Sequence, residues 1–320
     1  MKVITQEIAD DIFMITLPMP FRLKHVNIYA IVKDGRVSLI DTGPNFPGVF
    51  SALEKSLGKI GCEVTGIDQI FITHSHVDHC GLAGTIQGIS GAAVYMREME
   101  YRRAMADLEM FIMSKQSFYR QEGLPYKVFC KIVKTYKMFK NTIIPFREKD
   151  FLVPGENKRF QNEMLEVINT PGHTAGQVVF FLRERGLLFS GDHVLPYITP
   201  NLGPDPADLA FRPLRSFIDS LNKVRDLPVS MVCPAHGAPF ADLKGRVEEI
   251  RAHHDERKSL IMNALNTKPK TAYAISRDVF GVDLPDFDQF LAFNETLVHL
   301  TELESELVIR RESTGWAIGF

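Results

Sequence analysis

Cysteine is scarce in this chain: Cys62, Cys80, Cys130 and Cys233 are the four in 320 residues, and no two form a CxxC pair. A disulfide framework is therefore not expected, and a reduced, cytoplasmic setting is. Long apolar runs are also missing. None approaches the roughly 18 residues of a membrane span, and the start, MKVITQEIADDIF, places acids where an export signal needs an unbroken apolar core. Charge of one sign is not in excess either. With 37 Lys and Arg against 39 Asp and Glu, the net charge is -2, which gives no overall attraction to nucleic acid or to an anionic membrane.

What is present is the composition of a globular chain, 45% hydrophobic and 24% charged, with room for one large domain and a small one. From Ile12 to Ile40, short apolar runs alternate with turn signals, and Asp34-Gly35 between two such runs predicts a hairpin. A helical spacing at Phe50, Leu53 and Leu57 precedes the strand-like QIFIT, so a β-α-β order emerges. Residues 97–150 are long, helical and rich in Met and aromatics, a candidate insertion or cap. Strands then return in EMLEVINT and VVFFLRERGLLFSGD, and a helix over about 214–224 leads into the strand VSMVCPAHG. The last segment, residues 243–320, reads as three helices and a short strand pair, a winged-helix-like appendage to a catalytic domain over 1–242.

The ten histidines are unevenly spent. In FITHSHVDHCG, residues 71–81, His74, His76, Asp78 and His79 fall within six positions just after an apolar run. His173, Asp192 and His236 likewise follow the ends of apolar strands, where side chains from one edge of a sheet can converge. Buried imidazoles and carboxylates cost energy unless something satisfies them, and a divalent metal would do so. In an extended segment alternate residues share a side, so His74 and His76 can grip one ion while the turn at Asp78 aims Asp78 and His79 at a second.

HxHxDH at 74–79, TPGHT with His173, SGDH with Asp192, PAHG with His236 and the upstream IDTG with Asp41 together resemble the metallo-β-lactamase superfamily. The match covers about residues 10–240. The whole-chain layout is similar to the glyoxalase-II-like and LACTB-type hydrolases of that superfamily. This resemblance implies an αββα sandwich, two mixed sheets face to face with helices outside. It places His74, His76 and His173 on a first metal, Asp78, His79 and His236 on a second, and Asp192 between them; Asp41 would orient a ligand. It implies two divalent ions, zinc by default with iron or manganese also suited, and a hydroxide held between them that attacks an ester or thioester. Asp78 would orient that nucleophile and take up a proton. A hydroxyacylglutathione hydrolase-like enzyme or an acyl-CoA thioesterase is the leading expectation, with a LACTB-type nuclease or a mononuclear iron sulfur dioxygenase as alternatives. The second position of the cluster is His76, where the flavodiiron branch has glutamate, and no flavodoxin-like segment follows, so di-iron chemistry is disfavoured.

Other residues carry two readings. His193 and Tyr197 in GDHVLPY are candidates to face the substrate, or simply pack. Cys80 reads as a small buried neighbour rather than a nucleophile. Lys127, Lys131, Lys134, Lys137 and Lys140 recur at helical spacing, as a solvated face or as an attraction for an anionic carrier. The tail carries nine Lys or Arg against thirteen Asp or Glu from Gly245 to Phe320, which argues against nucleic acid there. Pairing with a second copy is left open.

Overall fold

The computed structural model describes residues 3–319 apart from 21, 107, 141, 161, 162, 206, 207 and 209. Two sheets make its centre. The first has seven strands in chain order: β1 (Ile4–Ala9), β2 (Ile12–Pro18), β3 (His25–Lys33), β4 (Arg36–Ile40), β5 (Ile67–Phe71), β6 (Ala93–Met96) and β7 (Glu148–Phe151). The first four pair antiparallel, and β4 to β7 pair parallel. The second has five strands in the order β12-β11-β10-β9-β8, where β8 is Asn157–Phe160, β9 Glu163–Asn169, β10 Val178–Leu182, β11 Leu187–Gly191 and β12 Met231–Pro234.

Period-two alternation builds the layers. Ile12, Met14, Tyr29 and Ile31 of the first sheet pack against Val178, Phe180, Leu182 and Phe189 of the second in one buried cluster. The intervening residues turn outward. Ile15, Leu17, Ile28 and Ala30 meet Leu53 and Leu57 of α1 (Val49–Lys59) and Ile86 of α3 (Ala83–Ser90). Val179 and Phe181 meet Phe217 and Leu221 of α7 (Pro213–Arg225) and Val247 of α8 (Leu243–Ala264). The result is the expected αββα sandwich. The β3–β4 hairpin turns at Asp34 (φ 51°) and Gly35 (φ 76°), and two successive positive φ angles are what a type I′ turn requires.

Between β6 and β7 run α4 (Glu98–Met105), α5 (Leu108–Gln121) and α6 (Tyr126–Lys140). After α8 come α9 (Ala272–Phe280), α10 (Asp286–Ser305) and the hairpin β13 (Ile309–Glu312) and β14 (Gly315–Ile318). These two stretches, distant in sequence, share one core. Tyr119, Val128, Phe129 and Ile132 pack with Ile261, Ile275, Phe293, Leu297 and Trp316. Glu122, buried at the end of the insertion's second helix, takes ion pairing from Arg311 and a hydrogen bond from Trp316 Nε1. Lys131 pairs with Asp286 across the same boundary.

Candidate metal centre

The strand ends deliver the polar residues. β4 ends just before Asp41, β5 just before His74, β11 just before Asp192 and β12 just before His236, while His173 lies in the turn from β9 to β10. Backbone hydrogen bonds tie the two sheets together at this edge, Val178 N to Thr73 O at 3.1 Å and Asn27 N to Ala235 O at 2.7 Å, and Ala235 N to Gly191 O at 3.0 Å extends the β11–β12 pairing. Asp78 and His79 sit on a one-turn helix, α2 (Val77–Cys80), rather than in a plain turn.

Two groups of ligand atoms result: His74, His76, His173 and Asp192 in one, and Asp78, His79 and His236 in the other. His76 Nδ1 lies 3.0 Å from His74 Nε2 and 2.9 Å from His173 Nε2. Asp192 reaches both groups, with Oδ2 3.5 Å from His173 Nε2 and Oδ1 3.5 Å from His79 Nε2 and 3.4 Å from His236 Nε2. Asp78 Oδ2 lies 3.4 Å from His236 Nε2. His76 is the exposed member, so the centre opens to solvent on its side.

The other ring nitrogens are tied down. His173 Nδ1 donates to Asn201 O at 2.9 Å and His236 Nδ1 to His25 O at 2.8 Å. His79 Nδ1 donates to Asp41 Oδ2 at 2.8 Å. Thr73 Oγ1 lies 2.9 Å from Asp41 Oδ2, so its one hydroxyl proton goes to the carboxylate and His74 Nδ1, 3.0 Å away, donates to Thr73. Four imidazoles therefore turn their Nε2 lone pairs inward with their tautomers set from outside, the arrangement of metal-ligating histidines. Inside, His79 Nε2, His236 Nε2 and Asp192 Oδ1 are buried without a hydrogen-bond partner. Bare lone pairs facing one another repel, and buried polar atoms without partners are costly. A divalent cation satisfies both, so the residues fit the group.

Electrostatics point the same way. Burial opposes charge on His79, yet Asp192, Asp41 and Asp78 outweigh it and hold the imidazole well above its ordinary range. His236 is raised as well, Asp192 and Asp78 overcoming burial. Burial and the neighbouring imidazoles push His74 well down. Burial opposes the Asp78 carboxylate, but His79 and His236 prevail and bring it to about 2. The carboxylates around His79 and His236 thus favour positive charge there, while the His74 nitrogens resist protonation and stay available to a metal.

His193 and Tyr197 part company. The His193 ring is fully buried, 5.2 Å edge-on to Phe217, while Tyr197 is 79% exposed beside Gly237. Cys80 is buried, its thiol donating to Ser75 O and its pKa raised by burial. Sequence reasoning did not find Thr73, Asn201 or Glu100. The last accepts the backbone N–H groups of Ser75 and Gly176.

A layered αββα sandwich with a histidine and aspartate centre at one sheet edge defines a class, the metal-binding members of this fold. The model of the metallo-beta-lactamase superfamily matches residues 22–236, and the chain belongs to that superfamily. It is 26% identical to the probable metallo-hydrolase YqjP of Bacillus subtilis over 98% of each chain. It is 26% identical to the beta-lactamase-like protein 2 homolog of Caenorhabditis elegans over 94% of this chain and 87% of that one. Among solved structures, the metallo-beta-lactamase family protein TTHA1429 of Thermus thermophilus superposes with a TM-score of 0.88 at 29% identity, covering 98% of this chain and all of that one. No helix among the described residues is long and apolar enough to cross a membrane.

Proposed function

We propose that this chain is a metal-dependent hydrolase with two divalent cations, cleaving an ester or thioester. The observation that carries it is the set of buried, partnerless ligand atoms of His79, His236 and Asp192 beside the His74, His76 and His173 nitrogens. His74, His76 and His173 would hold one cation and Asp78, His79 and His236 the other, with Asp192 within reach of both groups. Bound there, the cations supply Lewis acidity and a water acidified toward neutral pH. Zinc suits the imidazole-rich set, and iron and manganese are the other metals to test.

The chain's own residues do the rest. Asp78, ionised at neutral pH and partly open to solvent, orients the attacking water and receives its proton. Tyr197, exposed beside Gly237 and so near His236 along the chain, is the candidate whose hydroxyl would donate to substrate oxygen. The similarity to a metallo-hydrolase along its whole length supports the reading. Metal analysis of the purified chain, then a panel of glutathione thioesters, acyl-CoA thioesters, lactones and single-stranded RNA, tests it. Two ions per chain and turnover of a thioester or lactone, abolished in Asp78→Ala, are expected; one iron per chain, or full hydrolysis by Asp78→Ala, sinks it.

A LACTB-type nuclease is the second reading. Lys127, Lys134 and Lys137 are exposed along α6, with Tyr126 exposed at its start, a face suited to phosphates and stacked bases. Turnover of RNA in the same panel would select it.

A further inference from the structure

We propose that Glu100 is a positioning residue that holds the loops bearing His74, His76 and His173 together, and so sets the first cation's site. The inference rests on the metal reading above. Glu100 lies in the first turn of α4, outside both sheets and outside both ligand groups, and is 1% exposed. Its two oxygens are divided between the two loops: Oε2 accepts Ser75 N–H at 2.9 Å and Oε1 accepts Gly176 N–H at 2.8 Å. Ser75 separates His74 from His76, and Gly176 follows His173 by three residues. One carboxylate therefore spans the loop after β5 and the loop between β9 and β10.

The fit leaves no slack. A Cβ on Gly176 would lie 2.5 Å from Met99 Cγ and 2.7 Å from both Glu100 Cγ and Oε1, so glycine there is what lets α4 approach. Arg97, just before the helix, reaches the same loop's base through Asn169 Oδ1 at 2.6 Å. Two donors meeting two acceptors also explains the residue type. A glutamine at 100 offers one acceptor, and its amide N–H₂ would face a backbone N–H. A buried carboxylate is costly on its own, and the two backbone N–H groups it accepts offset that cost.

The test is titration of the full-length, chelator-stripped chain with Zn²⁺ by calorimetry, and with Co²⁺ by visible absorption, for wild type, Glu100→Gln and Gly176→Ala. Both variants are expected to lose about 10- to 100-fold in affinity for one of the two ions, with an altered Co²⁺ band for that site and the other ion held as before. Circular dichroism and melting of each metal-free chain show whether it is folded. Wild-type affinities and spectra in both folded variants overturn the inference, as does a lowered melting temperature with unchanged affinity, which would mark a purely structural role. A wild type that takes up no ion overturns the metal reading itself, a different result from a wild type with two ions and a variant that matches it.

Discussion

Trp316 Nε1 donates to Glu122 Oε2 at 2.9 Å, a hydrogen bond between residues 194 positions apart. It joins the helical insertion to the terminal hairpin in a buried setting. Burial raises the pKa of Glu122, partly countered by Trp316 and Arg311. Glu122→Ala leaves the indole N–H without an acceptor and is expected to cost about 1–3 kcal/mol. Glu122→Gln keeps an acceptor and loses the desolvation cost, so its loss should be smaller. Denaturant unfolding of both variants checks the order, and an equal or larger loss in Glu122→Gln contradicts it.

Asp41 fixes His79 through Nδ1 and also accepts Thr73 N–H at 2.8 Å. It adopts a positive φ of 59°, which an asparagine tolerates. Asp41→Asn should keep the fold while weakening the metal site that includes His79 by about 10- to 100-fold. Equilibrium dialysis against a graded zinc buffer reads this directly.

Because His79 and His236 have raised pKa values, their protons compete with a metal. Ligation needs neutral imidazole, so binding at neutral pH should release protons, and affinity should climb as pH rises through those raised values. Calorimetry at one pH in buffers of different ionisation enthalpy measures the release; a count of zero would contradict it.

His254 and His299 form a buried pair, Nδ1 to Nε2 at 3.2 Å, between α8 and α10. Burial first, then the imidazole neighbours, lowers His254 to about 3; burial lowers His299 to about 4 despite Glu295. Both lie below the ordinary 6.5, so the unfolded chain takes up protons that the folded one refuses. Stability is then full above about pH 6.5 and falls as the solution is acidified toward 4. The slope is about 1.4 kcal/mol per pH unit for each histidine fully in play. His254→Leu should flatten that slope in urea unfolding curves taken between pH 4 and 6.5.

The sandwich was readable through the resemblance carried by the polar motifs, which stand where apolar runs stop; along β10, VVFFL is apolar on both faces, so the sequence shows a buried strand but not which core each residue enters. What alternation cannot reveal is the choice between neighbours. Glu98 and Glu100 both read as acids in a helix's first turn; one pairs with Arg102 in solvent, and the other is buried against Ser75 and Gly176. His193 and Tyr197 both follow a strand end, and packing on Phe217 takes only the first inside. The segment holding α5 and α6 was visible as helical and rich in Met and aromatics. Their partners lie more than a hundred residues later, and no local pattern carries that distance.

That distance has a cost during synthesis. Tyr119, Phe129 and Ile132 leave the ribosome long before Phe293 and Trp316, which cover them. Through that interval a sticky surface stands open with its lid not yet made, a condition that invites aggregation or chaperone capture. Shortening the chain by its last hairpin would make that interval permanent.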